Sequence, residues 1–267
     1  MEIYRRARKA GMDYVTITDH DTIDGCLSLL SRRPDLEPRV IVGEEVTSYY
    51  PGSGAELHIA VYGHDEAQHR TIQRLRRNLL DLIEYLRSER LVYALNHPIW
   101  DSRGRPWSLG RVRELLSVVR DHFPGIETRN GASLEYQNRV ATRIARRMAS
   151  FVIGGSDTHT DQVGYAYTWA PARTKREFLE AIAEGKGRVG GRQLTAGFFA
   201  RETRLLLLRN LSGPRRVVGA LSGRALAAFA DLVERRLSAL VAHLYLRAQR
   251  TVLSARHRLA ALRLSES

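Results

Sequence analysis

Short runs rich in β-branched and aromatic residues alternate along the chain with longer stretches whose apolar positions recur every three or four residues. Residues 14–18, 40–42, 57–62, 91–95, 126–128 and 151–153 each read as a strand. Residues 67–90 read as helix, with Ile72, Leu75, Leu79, Leu82, Ile83 and Leu86 on one face. Two further helical stretches, 108–121 and 133–149, each open on a serine able to cap them. A last one, 174–184, stops at Gly185, and residues 1–9 also carry a helical pattern. Strand alternating with helix predicts an α/β domain on a parallel sheet, open or closed into a barrel.

The pattern changes after Gly190-Gly191. From Arg224 a single long helix is expected, with Leu226, Phe229, Val233, Leu237, Leu240 and Leu244 on one side and Arg235, Arg236, Arg247 and Arg250 on the other. The reading is therefore a barrel-like domain over 1–195 and a basic, largely helical extension over 196–267. Charge sharpens this division. The net charge is +13, and residues 201–267 hold 13 arginines against four acids, so about +9 sits in the last quarter. A solvated helix face is the plain reading of that excess, and an anionic partner is the alternative. Three roles suit the helix, in this order: packing on the barrel, forming a homodimer, or lying on an anionic membrane surface.

Composition narrows the class. With 43% hydrophobic and 27% charged residues, the chain can build an ordinary globular core. One cysteine, Cys26, excludes an intrachain disulfide, and no apolar run approaches the roughly 20 residues needed to span a bilayer. The opening residues are polar and show no secretory leader, so a cytoplasmic protein is expected.

In α/β folds of this kind chemistry gathers at the C-terminal ends of strands. Here those ends carry Thr18-Asp19-His20-Asp21-Thr22, Gly43-Glu44-Glu45-Val46-Thr47, Asn96-His97-Pro98, Arg129-Asn130-Gly131 and Gly155-Ser156-Asp157-Thr158-His159. His58 is the exception, since it lies at the start of its strand. Imidazole and carboxylate groups suit zinc, manganese and iron, and Glu45 is the candidate to bridge two cations. Such a cluster makes hydroxide near neutral pH and holds both the attacking and leaving oxygens of a phosphate ester. Arg129 and Asn130 are candidate substrate residues, through a guanidinium clamp on phosphate and an amide hydrogen bond. Tyr49, Tyr50 and Trp100 follow ligand segments and are candidates to line a pocket. His64, His69 and His122 lie on polar stretches and read as solvated.

Taken together, these segments resemble the PHP (polymerase and histidinol phosphatase) superfamily over roughly residues 1–195. The resemblance implies a distorted (β/α)7 barrel, a cluster of two or three divalent ions (Mn, Zn or Fe), and hydrolysis of a phosphate ester. It implies that His20 and His159 share one ion, that Glu45 bridges two, that His58 and His97 complete the middle ion, and that Asp157 serves another. No separate catalytic side chain is implied beyond hydroxide made by the ions. The substrate class implied is a phosphorylated small molecule or a nucleotide. One departure stands out: residues 1–19 contain no histidine, whereas family members open with a strand ending in His-x-His. The expectation is thus a barrel lacking its first strand, with impaired activity. A non-catalytic module that holds an anionic partner is the alternative reading.

Overall fold

The computed structural model describes residues 1–99, 109–133, 135–158 and 162–192. His159, Trp100 and the extension with its expected long helix lie outside the described residues. Chain contacts divide the protein into one compact unit of Met1–Pro106 with Arg113–Gln193 and a second of Trp107–Val112 with Leu194–Ser267. The first unit carries both sheets.

Seven helices and seven strands are described: α1 (Glu2–Lys9), α2 (Asp24–Arg32), β1 (Gly43–Tyr50), β2 (Ala55–Tyr62), α3 (Glu66–Leu75), α4 (Leu79–Ser88), β3 (Val92–Leu95), α5 (Leu109–His122), β4 (Gly125–Asn130), α6 (Glu135–Met148), β5 (Phe151–Gly155), β6 (Ala166–Trp169), α7 (Lys175–Ala183) and β7 (Arg188–Gly191). A short 3-10 turn spans Pro34–Arg39. Strands β1 to β5 form one sheet in chain order, and β6 pairs with β7.

The expected all-parallel sheet is corrected to a mixed one. β1 and β2 run antiparallel, as do β2 and β3, while β3–β4 and β4–β5 are parallel. For β1 and β2 the cause is loop length. Only Pro51 to Gly54 separate β1 from β2, and four residues suffice for a hairpin but not for the crossover that parallel strands need.

The first two expected strands also shift. Residues 14–18 form no ladder. Val15 makes an isolated parallel bridge to Val40, and His20 one to Glu45. Val40 lies outside β1, which starts three residues later, at Gly43. Between the bridges, the buried Cys26 thiol of α2 takes the place of a strand neighbour. It donates to the Ile17 carbonyl at 3.3 Å and accepts from the Ile17 N–H at 3.4 Å.

The faces of β1 and β2 follow the strand period of two. Glu45 lies opposite Ala60 and Thr47 opposite His58 on one face, and Glu44 lies opposite Val61 and Val46 opposite Ile59 on the other. Helix α4 buries Leu79, Leu82, Ile83 and Leu86. The expected single helix over 67–90 is two helices. The break falls where Asn78 turns extended and caps α4, accepting from the Leu80 N–H at 3.0 Å. Helix α3 begins with a capping box: Asp65 accepts from the Gln68 N–H at 2.8 Å, and the Gln68 side chain accepts from the Asp65 N–H at 3.0 Å. At the other end of the sheet the Thr168 hydroxyl stitches β6 to β5, accepting from the Gly154 N–H at 2.9 Å and donating to its carbonyl at 3.0 Å.

Replacing Asp65 with alanine removes half of the capping box. It is expected to cost about 1 kcal/mol of stability, read by urea unfolding monitored by circular dichroism. A loss below about 0.3 kcal/mol would show that α3 is held by packing alone.

Candidate metal centre

Glu45 is the hub of the site. It projects from β1, is 7% exposed, and faces three imidazoles. His97 Nε2 lies 3.0 Å from its Oε1, His58 Nδ1 lies 3.2 Å from the same oxygen, and His20 Nε2 lies 3.8 Å from Oε2. The rings meet edge to face, His20–His58 at 4.9 Å and His58–His97 at 5.1 Å between centroids. Donor atoms of His20, Glu45 and His58 all lie within 4.8 Å of one another, the spacing of groups that can share an ion. Burial beside His58 and His97 explains the carboxylate's behaviour. Desolvation alone would raise its pKa, but the hydrogen bonds from both histidines outweigh it and hold Glu45 far below the usual carboxylate range.

Each of these side chains arrives by a definite route. The parallel bridge clamps His20 to Glu45, with the Asp21 N–H donating to the Glu45 carbonyl at 3.0 Å and the Glu45 N–H to the Asp19 carbonyl at 3.1 Å. His58 comes from the early part of β2. Because β2 runs against β3, that part lies beside the C-terminal end of β3, and the Asn96 N–H donates to the His58 carbonyl at 2.9 Å. The position that looks anomalous in the sequence is therefore the one an antiparallel strand must use. His97 follows β3 with φ 25°, in the left-handed region, and Asp157 follows β5 with φ 45°.

Asp157 joins the hub through a relay. Asn130 Nδ2 donates to Asp157 Oδ2 at 3.0 Å and to Glu127 Oε2 at 2.9 Å, and the same Glu127 oxygen accepts from the His97 N–H at 2.9 Å. Asn130 is 1% exposed, and its Oδ1 also accepts from the Ala132 N–H at 2.9 Å. Its amide is thus spent on positioning two carboxylates, not left open to a bound molecule. Arg129, half-buried, precedes it on β4 at a register shift between Glu127 and Arg129.

Three groups escape the sequence reading. Glu127 looks like an acid inside a strand, yet it is buried and holds the His97 turn. Glu56 lies 3.4 Å from His58 Nε2, and alternation along β2 (Glu56-x-His58) is the signal available for it. Asp21 accepts from the Thr47 N–H at 2.8 Å and pairs with Arg76 at 3.3 Å, closing the loop behind His20. His64 and His69 are not solvated as expected. His64 is 2% exposed and both face Glu44, because they lie on the buried side of a turn and helix whose other positions are polar.

The metal-free protein should lose stability as pH rises. Burial would lower His97, but Glu45, Glu127 and Asp157 outweigh it and raise it from 6.5 to about 9. Its contribution is complete below pH 6.5 and is lost as pH climbs towards 9. Burial raises Glu127 from 4.5 to about 7, so the folded state gains by holding that proton and the gain disappears as pH rises from 4.5 through 7. Glu45 has the opposite sign: its contribution exists above 4.5 and is lost as pH falls. Glu127→Gln should flatten the decline between about pH 5 and pH 8 in chelator-treated protein, with a gain on the order of 3 kcal/mol at most at the upper end. Urea midpoints at the two pH values provide the measurement, and an unchanged slope would refute it.

Residues 135–186, from α6 to the segment after α7, match the PHP-associated family model. No curated protein matches the chain by sequence at a significant level. A two-domain protein from Bacteroides vulgatus, containing a predicted PHP-like metal-dependent phosphoesterase, aligns with TM-score 0.50 and 18% identity over 76% of this chain. This chain spans 65% of that protein, just under two thirds of its length. A protein from Bifidobacterium adolescentis assigned as a metal-dependent phosphoesterase aligns at TM-score 0.43 and 17% identity, over 68% of this chain and 90% of its own. An amidohydrolase from Chromobacterium violaceum, solved with sulfate and no metal, aligns at 0.48 and 16%, over 67% and 90%. This chain is thus similar to the PHP-associated family over residues 135–186, and its α/β fold is similar to that of the Bacteroides vulgatus protein.

Proposed function

We propose that this chain hydrolyses phosphate esters with the help of divalent ions held by His20, Glu45, His58, His97 and Asp157, with His159 as a further ligand. The observation that carries the reading is one buried carboxylate, Glu45, facing three imidazoles at 3.0, 3.2 and 3.8 Å. The donor set fits the ions, because imidazole nitrogen and carboxylate oxygen suit manganese, zinc and iron alike. His58 Nδ1 is buried against Glu45 Oε1 at 3.2 Å, so an ion taken up there would have both as ligands. A bound ion there would supply Lewis acidity towards a phosphoryl oxygen and lower the pKa of water.

The chain's own residues define the rest. Glu45 stays ionised across the working pH range because His58 and His97 hold its pKa down. His97 must give up its proton to become a ligand, so ion uptake near neutral pH releases a proton from it. Asn130 and Glu127 fix the turns that present Asp157 and His97. The His20 side chain is 48% exposed, so the hub is open to a phosphate from that side. Arg129 is the candidate cation for the substrate phosphate, and a phosphorylated small molecule or a nucleotide is the candidate class. The same reading takes the five-stranded sheet and the β6–β7 pair as parts of a distorted barrel.

Turnover of p-nitrophenyl phosphate and its bis-ester by the purified chain with added manganese should fall on the order of 100-fold or more in His97→Ala and in Asp157→Ala. Bound metal, measured by elemental analysis, should fall with it. Equal turnover in wild type and both variants would remove the proposal. Metal binding without turnover in the wild type would leave a binding module.

A further inference from the structure

The back of β1 carries a second group of donors, independent of the Glu45 hub. Glu44 is fully buried, on the face it shares with Val46, Ile59 and Val61. A carboxylate there costs several kcal/mol unless positive or donor groups meet it. Two imidazoles converge on one of its oxygens. His64 Nε2, from the turn after β2, and His69 Nδ1, from the first turns of α3, each lie 3.0 Å from Glu44 Oε1. The other oxygen accepts from Gln73 Nε2 at 2.7 Å, which fixes the carboxylate's orientation. Donor atoms from Glu44, His64 and His69 all fall within 4.8 Å of one another.

A hydrogen-bonded cluster accounts for only part of this. The His64 side chain is 0% exposed, yet neither of its ring nitrogens has a hydrogen-bond partner, although Nε2 lies beside a carboxylate oxygen. An imidazole buried in that state is costly. A cation coordinated beside Glu44 Oε1 would give His64 the partner it lacks, and would use His69 and Glu44 with no new rotamers. We propose that Glu44, His64 and His69 form a second divalent metal site that takes zinc. Two imidazoles and one carboxylate are an established zinc set, with Gln73 as the outer hydrogen bond that orients the carboxylate. The His69 side chain, 19% exposed, leaves an edge by which water can fill the fourth position. The site would staple β1, the β2–α3 turn and α3 together, and its role is structural.

The test separates the two faces. The full chain is stripped with chelator, reloaded with zinc and assayed by elemental analysis and thermal melting. His58→Asn/His97→Asn, which disables the Glu45 hub, should retain about one zinc equivalent and melt higher with zinc than without. Adding Glu44→Gln should remove both that equivalent and the zinc-dependent shift. Cobalt in place of zinc should give visible d–d bands in the hub-disabled protein that vanish with Glu44→Gln. If Glu44→Gln does not fold, as judged by circular dichroism, the partly exposed His69→Ala takes its place with the same expected loss. No zinc retained by the hub-disabled protein, or zinc retained equally after loss of Glu44 or His69, overturns the proposal. Phosphoesterase turnover is scored separately in wild type, so failure of either site is read without the other.

Discussion

Two neighbouring carboxylates buried on opposite faces of one strand set the terms for this molecule. Glu44 and Glu45 are 0% and 7% exposed, and the strand period sends them to opposite sides of β1. Moving a carboxylate from water into a protein interior costs several kcal/mol, so each must be met by groups able to hold the charge. Imidazoles supply most of that here: His20, His58 and His97 on one side, His64 and His69 on the other. Five of the chain's nine histidines are thus committed to two side chains that are adjacent in sequence. Paths that look unrelated, such as the bridge at His20, the reversed direction of β2, the turn after β3 and the capped start of α3, all end at one of these two oxygen pairs.

Backbone strain gathers around the same centre. Four non-glycine residues among those described have positive φ, and three of them, Asp21, His97 and Asp157, belong to the Glu45 side. A left-handed residue at a strand end turns its side chain across the end of the sheet, which a regular extended exit would not do. Such a conformation persists only where neighbours fix it. The Thr47 N–H and Arg76 fix Asp21, the Glu127 carboxylate fixes His97, and Asn130 fixes Asp157. The buried relay of Glu127 and Asn130 therefore supports geometry, and it explains why an acid lies in the middle of β4.

Much of this is legible in the sequence, and the gaps have physical causes. His20, Glu45, His97 and Asp157 can be singled out because imidazole and carboxylate groups follow short apolar runs, whereas His58 lies at the start of one. Strand direction cannot be read from those runs, since an apolar pentapeptide looks the same in either sense. The four-residue Pro51-Gly52-Ser53-Gly54 spacer is the available sign of a hairpin, and it also accounts for His58. Residues 14–18 have the composition of a strand but bond through a cysteine thiol, a contact that depends on α2 folding against them. His64 and His69 pass for solvated residues because their neighbours Asp65, Glu66 and Gln68 are polar. Polarity of a segment says little about the one side chain that turns inward.

Exposure decides what each face of β1 can do. A catalytic ion needs an open position where water or substrate can replace a ligand. On the Glu45 side the His20 side chain is 48% exposed and stands at the outer edge of the cluster. On the Glu44 side the His64 and Glu44 side chains are both sealed, and helix α3 lies across them. The same chemical groups, one residue apart, are thereby separated into a partly open face and a sealed face. The pleat of the strand accomplishes this: an α-helical turn would have placed consecutive side chains about 100° apart, too close in direction to share between opposite sides of a sheet.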